Sequence, residues 1–486
     1  MILSSLHRVL APFLAALLTL APLPATAAPP ALEHAVAQAF AQAPHGTRFG
    51  LLVVDEDGQE VIAVNPDQRF IPASNTKLLT TAAALAMLAD VGAPDRAGGA
   101  TVALEGQDAV LRGHGDARLS SAPDCVTNCL AALADAVAAR SRHLRAVVGD
   151  DTRFPDERWS PGMSWNNIST RYGTGISALT LDDNEAVLTI TPGAPAAAPT
   201  VSSLGYYTVT NLAVTRAGAP TALDIMRMPG ERTLRLTGTI APDAAPATLR
   251  IGIDDPAHYA AWRMGQLLAA RGVRISAPPE ARHRPLSASD DPAHRGAGTV
   301  QPLAPAPVLA TLTAAPLAED IRIVNKVSQN LHAELLMRRL GLIEGAGSLA
   351  DGIAMVARLM AAAGVPRTAW DLADGSGMSS YNRIAPRALV GLLRYGASQP
   401  WGAAWRETFP IGGVDGTIAR RFRGTALEGK IFAKTGTLNQ TNALSGYLIA
   451  ASGRTLTFSL IANDVPGDVG ATGAMDAALV AIAAAN

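Results

Sequence analysis

Apolar and polar positions alternate along the chain in three textures. In "PPALEHAVAQAFAQA" the apolar residues recur at helical spacing, which predicts a helix. In "TRFGLLVVDEDGQEVIAVNPDQRFIPAS" two apolar runs flank Asp55-Glu56-Asp57-Gly58, a hairpin signal. A helix should then begin near Ser74. Its "KLLTTAAALAML" is almost continuously apolar and should be buried nearly all round. From about Pro94 to residue 305 the pattern changes to short strands, Gly-rich turns and Pro-rich links. That stretch holds a hairpin at "ATVALEGQDAVLRGHGD", a helix and strand in "CLAALADAVAARSRHLRAVVGDDTRF", and strands over residues 186–280 with one helix at "PAHYAAWRMGQLLAARG". "APPEARHRPLSASDDPAHRGAGTVQPLAPAP" reads as a link. Helical texture returns from "APVLATL" through "APRALVGLLRYG"; the chain ends in an antiparallel meander and a last helix, "GAMDAALVAIAAA". There is no internal repeat.

The 486 residues exceed one core, and 48% hydrophobic against 17% charged residues supports large buried interiors. A formal net charge of -1 gives no global field for nucleic acid or an anionic membrane surface. At the N-terminus, Arg8, the apolar "VLAPFLAALLTLAPL" and Ala25-Thr26-Ala27 follow the order of a secretory signal peptide, so an exported, periplasmic protein maturing near Ala28 is expected. No later apolar run is long enough to span a bilayer. Cys125 and Cys129 lie four apart at a predicted helix start; in an oxidising compartment they can pair, and otherwise they are two free thiols. A metal site would need two more ligands, and no His/Cys pattern near them supplies any.

Three polar motifs interrupt this pattern. Ser74-Asn75-Thr76-Lys77 stands at a helix start, Ser328-Gln329-Asn330 at a loop-to-helix transition, and Lys434-Thr435-Gly436-Thr437 on a strand. Residues i and i+3 share a helix face, so the Lys77 amine reaches the Ser74 hydroxyl. Serine needs such a base to become a nucleophile. The helix N-terminus and a nearby Lys434 would both disfavour a charged Lys77, and the Ser74 N–H is free for an oxyanion. Each motif alone is weak: Ser-x-x-Lys is also an ordinary helix cap, and Lys-Thr-Gly an ordinary strand end. Together and in order they form the signature of the penicillin-recognising serine hydrolases. His114 and His332 read as loop and packing residues. No H-E-x-x-H motif or cofactor fingerprint is present, so neither metal nor cofactor is expected. "DGSGMSSYNRIAPR" reads as an anion cradle or as the turn before a helix.

The chain resembles the D-alanyl-D-alanine carboxypeptidase/endopeptidases of the low-molecular-mass class C penicillin-binding proteins, peptidase family S13. "FIPASNTKLLTTAAAL", "VSQNLHAELLMRRLG", "DGSGMSSYNRIAPRALVGLL", "GGVDGTIARRF" and "AKTGTLNQTNALSGYLIA" look like that family's blocks, in its order. The resemblance implies an α/β (α+β) penicillin-binding/β-lactamase-like transpeptidase fold, an antiparallel sheet flanked by helices, with two nested strand-rich insertions. The 254 residues from Ser74 to Ser328 leave room for them. The expected division is a signal peptide at 1–27, a catalytic domain from 28–93 and 306–486, an outer insertion from 94–185 and 283–305, and an inner one from 186–282. The resemblance also implies Ser74 as acylated nucleophile, Lys77 as general base, and Ser328 and Lys434 as a proton relay. Asn330 would hold the substrate carbonyl and Lys77. Thr435, Gly436 and Thr437 would bind substrate, the two threonines at its carboxylate and the Thr437 N–H in the oxyanion hole. Substrates would be peptidoglycan stem peptides, with β-lactams as inhibitors; a β-lactamase or a non-catalytic wall scaffold is the alternative. One departure is Met163-Ser164-Trp165-Asn166-Asn167, where the family often carries an acidic residue that meets a diaminopimelate amine; an amide supplies no such charge.

Overall fold

The computed structural model describes residues 30–296, 307–467 and 469–486; the expected signal segment lies outside them. Its central sheet has five antiparallel strands in the order Ile431–Leu438, Thr441–Ile449, Thr455–Asn463, Arg48–Val54, Glu60–Val64. The C-terminal meander therefore meets the N-terminal hairpin through the pairing of Arg48–Val54 with Thr455–Asn463. Both faces are covered, so alternate residues of one strand enter different cores. Leu444 and Leu448 pack with the Pro30–Phe40 and Thr472–Ala485 helices. Ala443 and Tyr447 face the other way, onto Thr76–Met87, Leu349–Ala362 and Pro386–Ala397. Thr76–Met87 is buried without a break from Thr76 to Ala84, as its unbroken apolar pattern requires.

The chain leaves this body at Asp95 and returns at Ala314, where the two residues exchange both backbone hydrogen bonds at 2.9 and 3.0 Å. Between them lies a mixed five-stranded sheet, ordered Glu280–Arg284, Val147–Pro155, Asp108–Arg112, Thr101–Glu105, Ala310–Thr311. The helices Leu130–Ala138 and Pro256–Ala270 contribute to its core. An inner excursion begins with Glu185–Thr191, which pairs antiparallel with Ala247–Gly252.

These pairings correct three expectations. The inner segment does not extend to residue 282, because Pro256–Ala270 and Glu280–Arg284 complete the outer sheet and its core. The expected link at 277–307 contains that edge strand, whose alternation is hidden by charged residues on a half-buried edge. The return to the catalytic body falls after Ala310–Thr311, past residue 306. Inner and outer segments also share one continuous apolar cluster, from Ala100 to Val273. Cys125 and Cys129 form a disulfide with their Cα atoms 5.8 Å apart.

Candidate active site

Ser74 lies in a 3-10 turn, Ala73–Asn75, that feeds directly into the Thr76–Met87 helix. Ala73 enters the turn at φ +47°, a left-handed conformation costly for a residue with a side chain. One turn on, Lys77 is fully buried, and its Nζ donates to Ser74 Oγ at 3.0 Å, to Asn330 Oδ1 at 2.7 Å and to the Ser376 carbonyl. Burial lowers its pKa to about 7, against the opposing pull of the Asp374 and Glu334 carboxylates. Of the influences expected to keep Lys77 neutral, burial against the apolar helix is the dominant one.

Ser328 stands between the Leu317–Lys326 and Asn330–Gly341 helices at φ +63°. The Gln329 side chain caps the second helix by accepting from the Leu331 N–H at 2.9 Å, which fixes Asn330 as its first residue. The Asn330 amide is oriented at both ends: Oδ1 accepts from Lys77, and Nδ2 donates to the Tyr172 carbonyl at 3.0 Å. Tyr172 belongs to the Asp95–Ala314 excursion, so that segment helps to hold the site.

Lys434 is fully buried on the edge strand Ile431–Leu438. Its Nζ donates to Ser328 Oγ at 2.8 Å and to the Thr435 carbonyl at 2.9 Å. Burial, reinforced by the charge of Lys77, pushes its pKa well below the usual lysine range. The strand is pinned to the Ser74 turn by Asn75, whose Nδ2 donates to the Lys434 carbonyl at 2.8 Å while its Oδ1 accepts from Ser445 Oγ at 2.6 Å. Gly436 permits this approach, since a Cβ there would stand 2.5 Å from the Pro72 carbonyl oxygen. Thr435 is half-buried with its hydroxyl 2.7 Å from that of Thr417, and Thr437 is exposed. All three motifs therefore converge, with Thr435 to Thr437 along the adjoining edge.

Several neighbours escape a reading by motif. Thr417 comes from "GGVDGTIARRF", whose Asp415 is tied to Lys326 at 2.6 Å. Glu334 and Asp374 are buried beside Lys77. The glycine-rich loop does cradle an anion, its own: Asp374 accepts from the Gly377 and Ser379 N–H groups at 2.8 and 2.6 Å. Gly377, at φ +88°, is required where a Cβ would lie 2.0 Å from the Ala73 carbonyl oxygen. The only signal for these residues was that the loop and the helix sat in quoted blocks.

The Trp165–Asn167 turn lies on the rim, and Ser380 donates from its N–H to the preceding Gly162 carbonyl at 3.0 Å. Asn166 is exposed and its Oδ1 accepts from Ser164 Oγ at 2.6 Å. A cleft of about 320 Å³ opens beside Ser328 and Asn330, lined also by Arg171, Tyr172, Asp183 and His332. His332 is buried between Asp183 at 2.9 Å and Asp320 at 3.2 Å, and His114 meets Thr101 Oγ1 at 3.1 Å. Among the described residues no His/Cys/Asp/Glu cluster is arranged to hold a metal.

An antiparallel sheet whose edge lysine faces a Ser-x-x-Lys helix start across a Ser-x-Asn loop defines the penicillin-binding/β-lactamase-like class of serine hydrolases. The chain belongs to the D-Ala-D-Ala carboxypeptidase 3 (S13) family, whose profile matches residues 32–485, and is a serine-type DD-peptidase. It is 34% identical over 467 residues to the D-alanyl-D-alanine carboxypeptidase of Actinomadura sp. (strain R39), covering 90% of this chain and 79% of that one. It is 23% identical over 432 residues to D-alanyl-D-alanine carboxypeptidase DacB of Haemophilus influenzae, covering 85% of each. The crystal structure of penicillin binding protein 4 (dacB) from Haemophilus influenzae superposes with a TM-score of 0.75 at 20% identity, over 91% of this chain and 98% of that one. The fold class expected from the sequence is thereby established.

Proposed function

We propose that this peptidase acts on peptidoglycan stem peptides in the periplasm, with Ser74 as nucleophile and Lys77 as its base. The observation that carries the assignment is the buried Lys77 amine held 3.0 Å from Ser74 Oγ, at a pKa that leaves it substantially neutral near pH 7. Neutral Lys77 takes the Ser74 proton as Oγ attacks the carbonyl carbon of a D-Ala-D-Ala or cross-link peptide bond. The tetrahedral oxyanion would be met by the N–H groups of Ser74 and Thr437. Its collapse breaks the C–N bond, and the proton that Lys77 took from Ser74 is handed on to the departing amine, with Ser328 and Lys434 as the relay. Water then hydrolyses the acyl-serine ester. Asn330 would hold the substrate carbonyl, and Thr435 and Thr437 its terminal carboxylate, with Gly436 giving room at the strand.

The same steps with a β-lactam open its ring and leave a penicilloyl-Ser74 ester, so penicillin serves as the probe. Labelling with a fluorescent penicillin followed by peptide mapping should place the adduct on Ser74 and find none in Ser74→Ala. A label elsewhere removes the assignment. Mass spectrometry of digested sacculi distinguishes loss of one D-Ala from loss of cross-linked dimers. The amides at Asn166, which is exposed, and Asn167, which is half-buried, supply no negative charge for a free side-chain amine of the stem peptide. Export agrees with the Cys125–Cys129 disulfide, a bond of oxidising compartments. Among the described residues no helix is long and apolar enough to cross a membrane.

A further inference from the structure

Two buried carboxylates beside the base have no task in acyl transfer. Glu334 lies one turn beyond Asn330 on the same helix, so it rises on the face that presents Asn330 to Lys77. Its Oε1 accepts from the Gly375 and Ser376 N–H groups at 3.0 and 2.8 Å. The next peptide unit joins the two sides of the site: its carbonyl, that of Ser376, accepts from Lys77, and its N–H, that of Gly377, donates to Asp374 at 2.8 Å. A single peptide dipole therefore spans ammonium and carboxylate. Thr80 secures the loop from the helix side, donating to the Gly375 carbonyl at 2.7 Å.

The charged groups facing Glu334 are Asp374 from the loop, Lys77 from the nucleophile's helix and Arg338 from its own helix, with Arg338 Nη1 3.5 Å from Glu334 Oε2. Lys434 lies beyond Lys77. All are buried, so net charge among them is costly. Were Lys77 neutral for catalysis and both carboxylates ionised, Arg338 would face two negative charges. The cluster balances when the proton absent from Lys77 resides on Glu334. Burial and the neighbouring Asp374 push the Glu334 carboxyl well above the usual carboxylate range, while burial brings Lys77 down.

We propose that Glu334 is a positioning residue of the acylation step: it fixes the Gly375–Ser376 backbone that grips Lys77, and it holds the proton that Lys77 must lack to act as a base. The proposal rests on the assignment of Ser74 and Lys77 as nucleophile and base. Its chemistry is an electrostatic linkage between the protonation of a carboxylate and that of an amine joined through the Ser376 peptide, with no bond to substrate.

The test is the pH profile of the second-order rate constant for penicillin acylation in wild type and Glu334→Gln. Glutamine keeps an oxygen acceptor for the two loop amides and mimics the protonated acid. The expected result is a high-pH rate within a few fold of wild type. The acid limb should move down by about one pH unit, because a negative charge favouring protonated Lys77 is gone. A folded Gln variant with an unmoved limb, or with acylation lost at every pH, overturns the proposal. Wild type should also show, by infrared difference spectroscopy, a buried carboxylic acid that titrates near neutrality and shifts when Ser74 is acylated; its absence overturns the proposal even where the variant fails to fold. A wild type that takes no label at Ser74 overturns the active-site assignment and this inference with it, whereas a labelled wild type with an unmoved limb overturns the inference alone.

Discussion

Lys77 and Lys434 sit in one dry pocket and cannot both remain charged at low cost. Acylation should therefore rise with pH through about 7 as Lys77 loses its proton, measured by stopped flow with a chromogenic β-lactam. A rate independent of pH from 5 to 9 would remove Lys77 as the base. Lys434→Ala removes the donor to Ser328 and should slow acylation at least about a hundredfold, the usual size of one acid–base contribution. Lys434→Arg keeps a charge but cannot release a proton near neutrality, and it places a larger head group in a filled site. If Lys434 works as a relay, the Arg variant is as slow as the Ala variant; if by charge alone, it is far faster. Near-wild-type acylation by Lys434→Ala would exclude the residue from the reaction.

The elements hold these side chains by close backbone contact. Gly436→Ala drives a Cβ to within 2.5 Å of the Pro72 oxygen, an atom of the Ser74 turn that cannot rotate away. The edge strand must then retreat, with Lys434 on it, at a cost of about 1–3 kcal/mol. We expect a lower melting temperature and at least a tenfold loss of acylation, read by scanning calorimetry and penicillin labelling. The Asn330–Gly341 helix is tied to the excursion by His332, which bridges Asp183 and Asp320. Although burial opposes it, hydrogen bonding to the two carboxylates raises the imidazole from 6.5 to about 9. The folded pKa exceeds the unfolded one, so this stabilisation is complete below pH 6.5 and is lost as pH rises through about 9. It amounts to on the order of 3 kcal/mol for a group this deeply buried. His283, raised to about 10 by Asp151 and Asp255, acts in the same direction. Because the depressed Lys77 and Lys434 act in the opposite sense, the His332 contribution is read as a difference: in urea unfolding, the stability lost by His332→Gln relative to wild type should be larger at pH 6 than at pH 9.5.

On the scale of the whole molecule, the nested excursions separate what the chemistry needs from what it does not. Tyr172 supplies a contact to Asn330, yet nothing between residues 192 and 246 touches Ser74, Lys77, Ser328, Asn330 or Lys434 through a hydrogen bond. Because Ile190 of Glu185–Thr191 pairs with Ala247 of Ala247–Gly252, residues 191–246 can be replaced by a two-residue Asn-Gly turn that closes the hairpin. Penicillin acylation should survive this deletion. Thermal stability should fall, since the segment shares the Ala100–Val273 cluster and its Arg227 is paired with Asp254. Loss of acylation in a folded deletion would assign the inner segment a part in the site. A cut over 186–282 is a different experiment, because it also removes the Pro256–Ala270 helix and an edge strand of the outer sheet.

The sequence by itself determined the three motifs and the elements that carry them, because these signals are local. A Ser-x-x-Lys spacing reads out as one helix turn, and an unbroken apolar run becomes a helix buried nearly all round. The meander and N-terminal hairpin were legible from period-two runs and turn residues. Cysteine spacing allowed a disulfide without deciding it; the fold brought the two sulfurs together. Only the tertiary structure decided where the excursions divide, since a parallel partnership such as Glu280–Arg284 with Val147–Pro155 joins residues far apart in sequence, and a charged edge strand carries no alternation. It also decided the electrostatics of the base. That burial outweighs the pull of the Glu334 and Asp374 carboxylates behind Lys77 depends on distances across loops and helices that no spacing encodes.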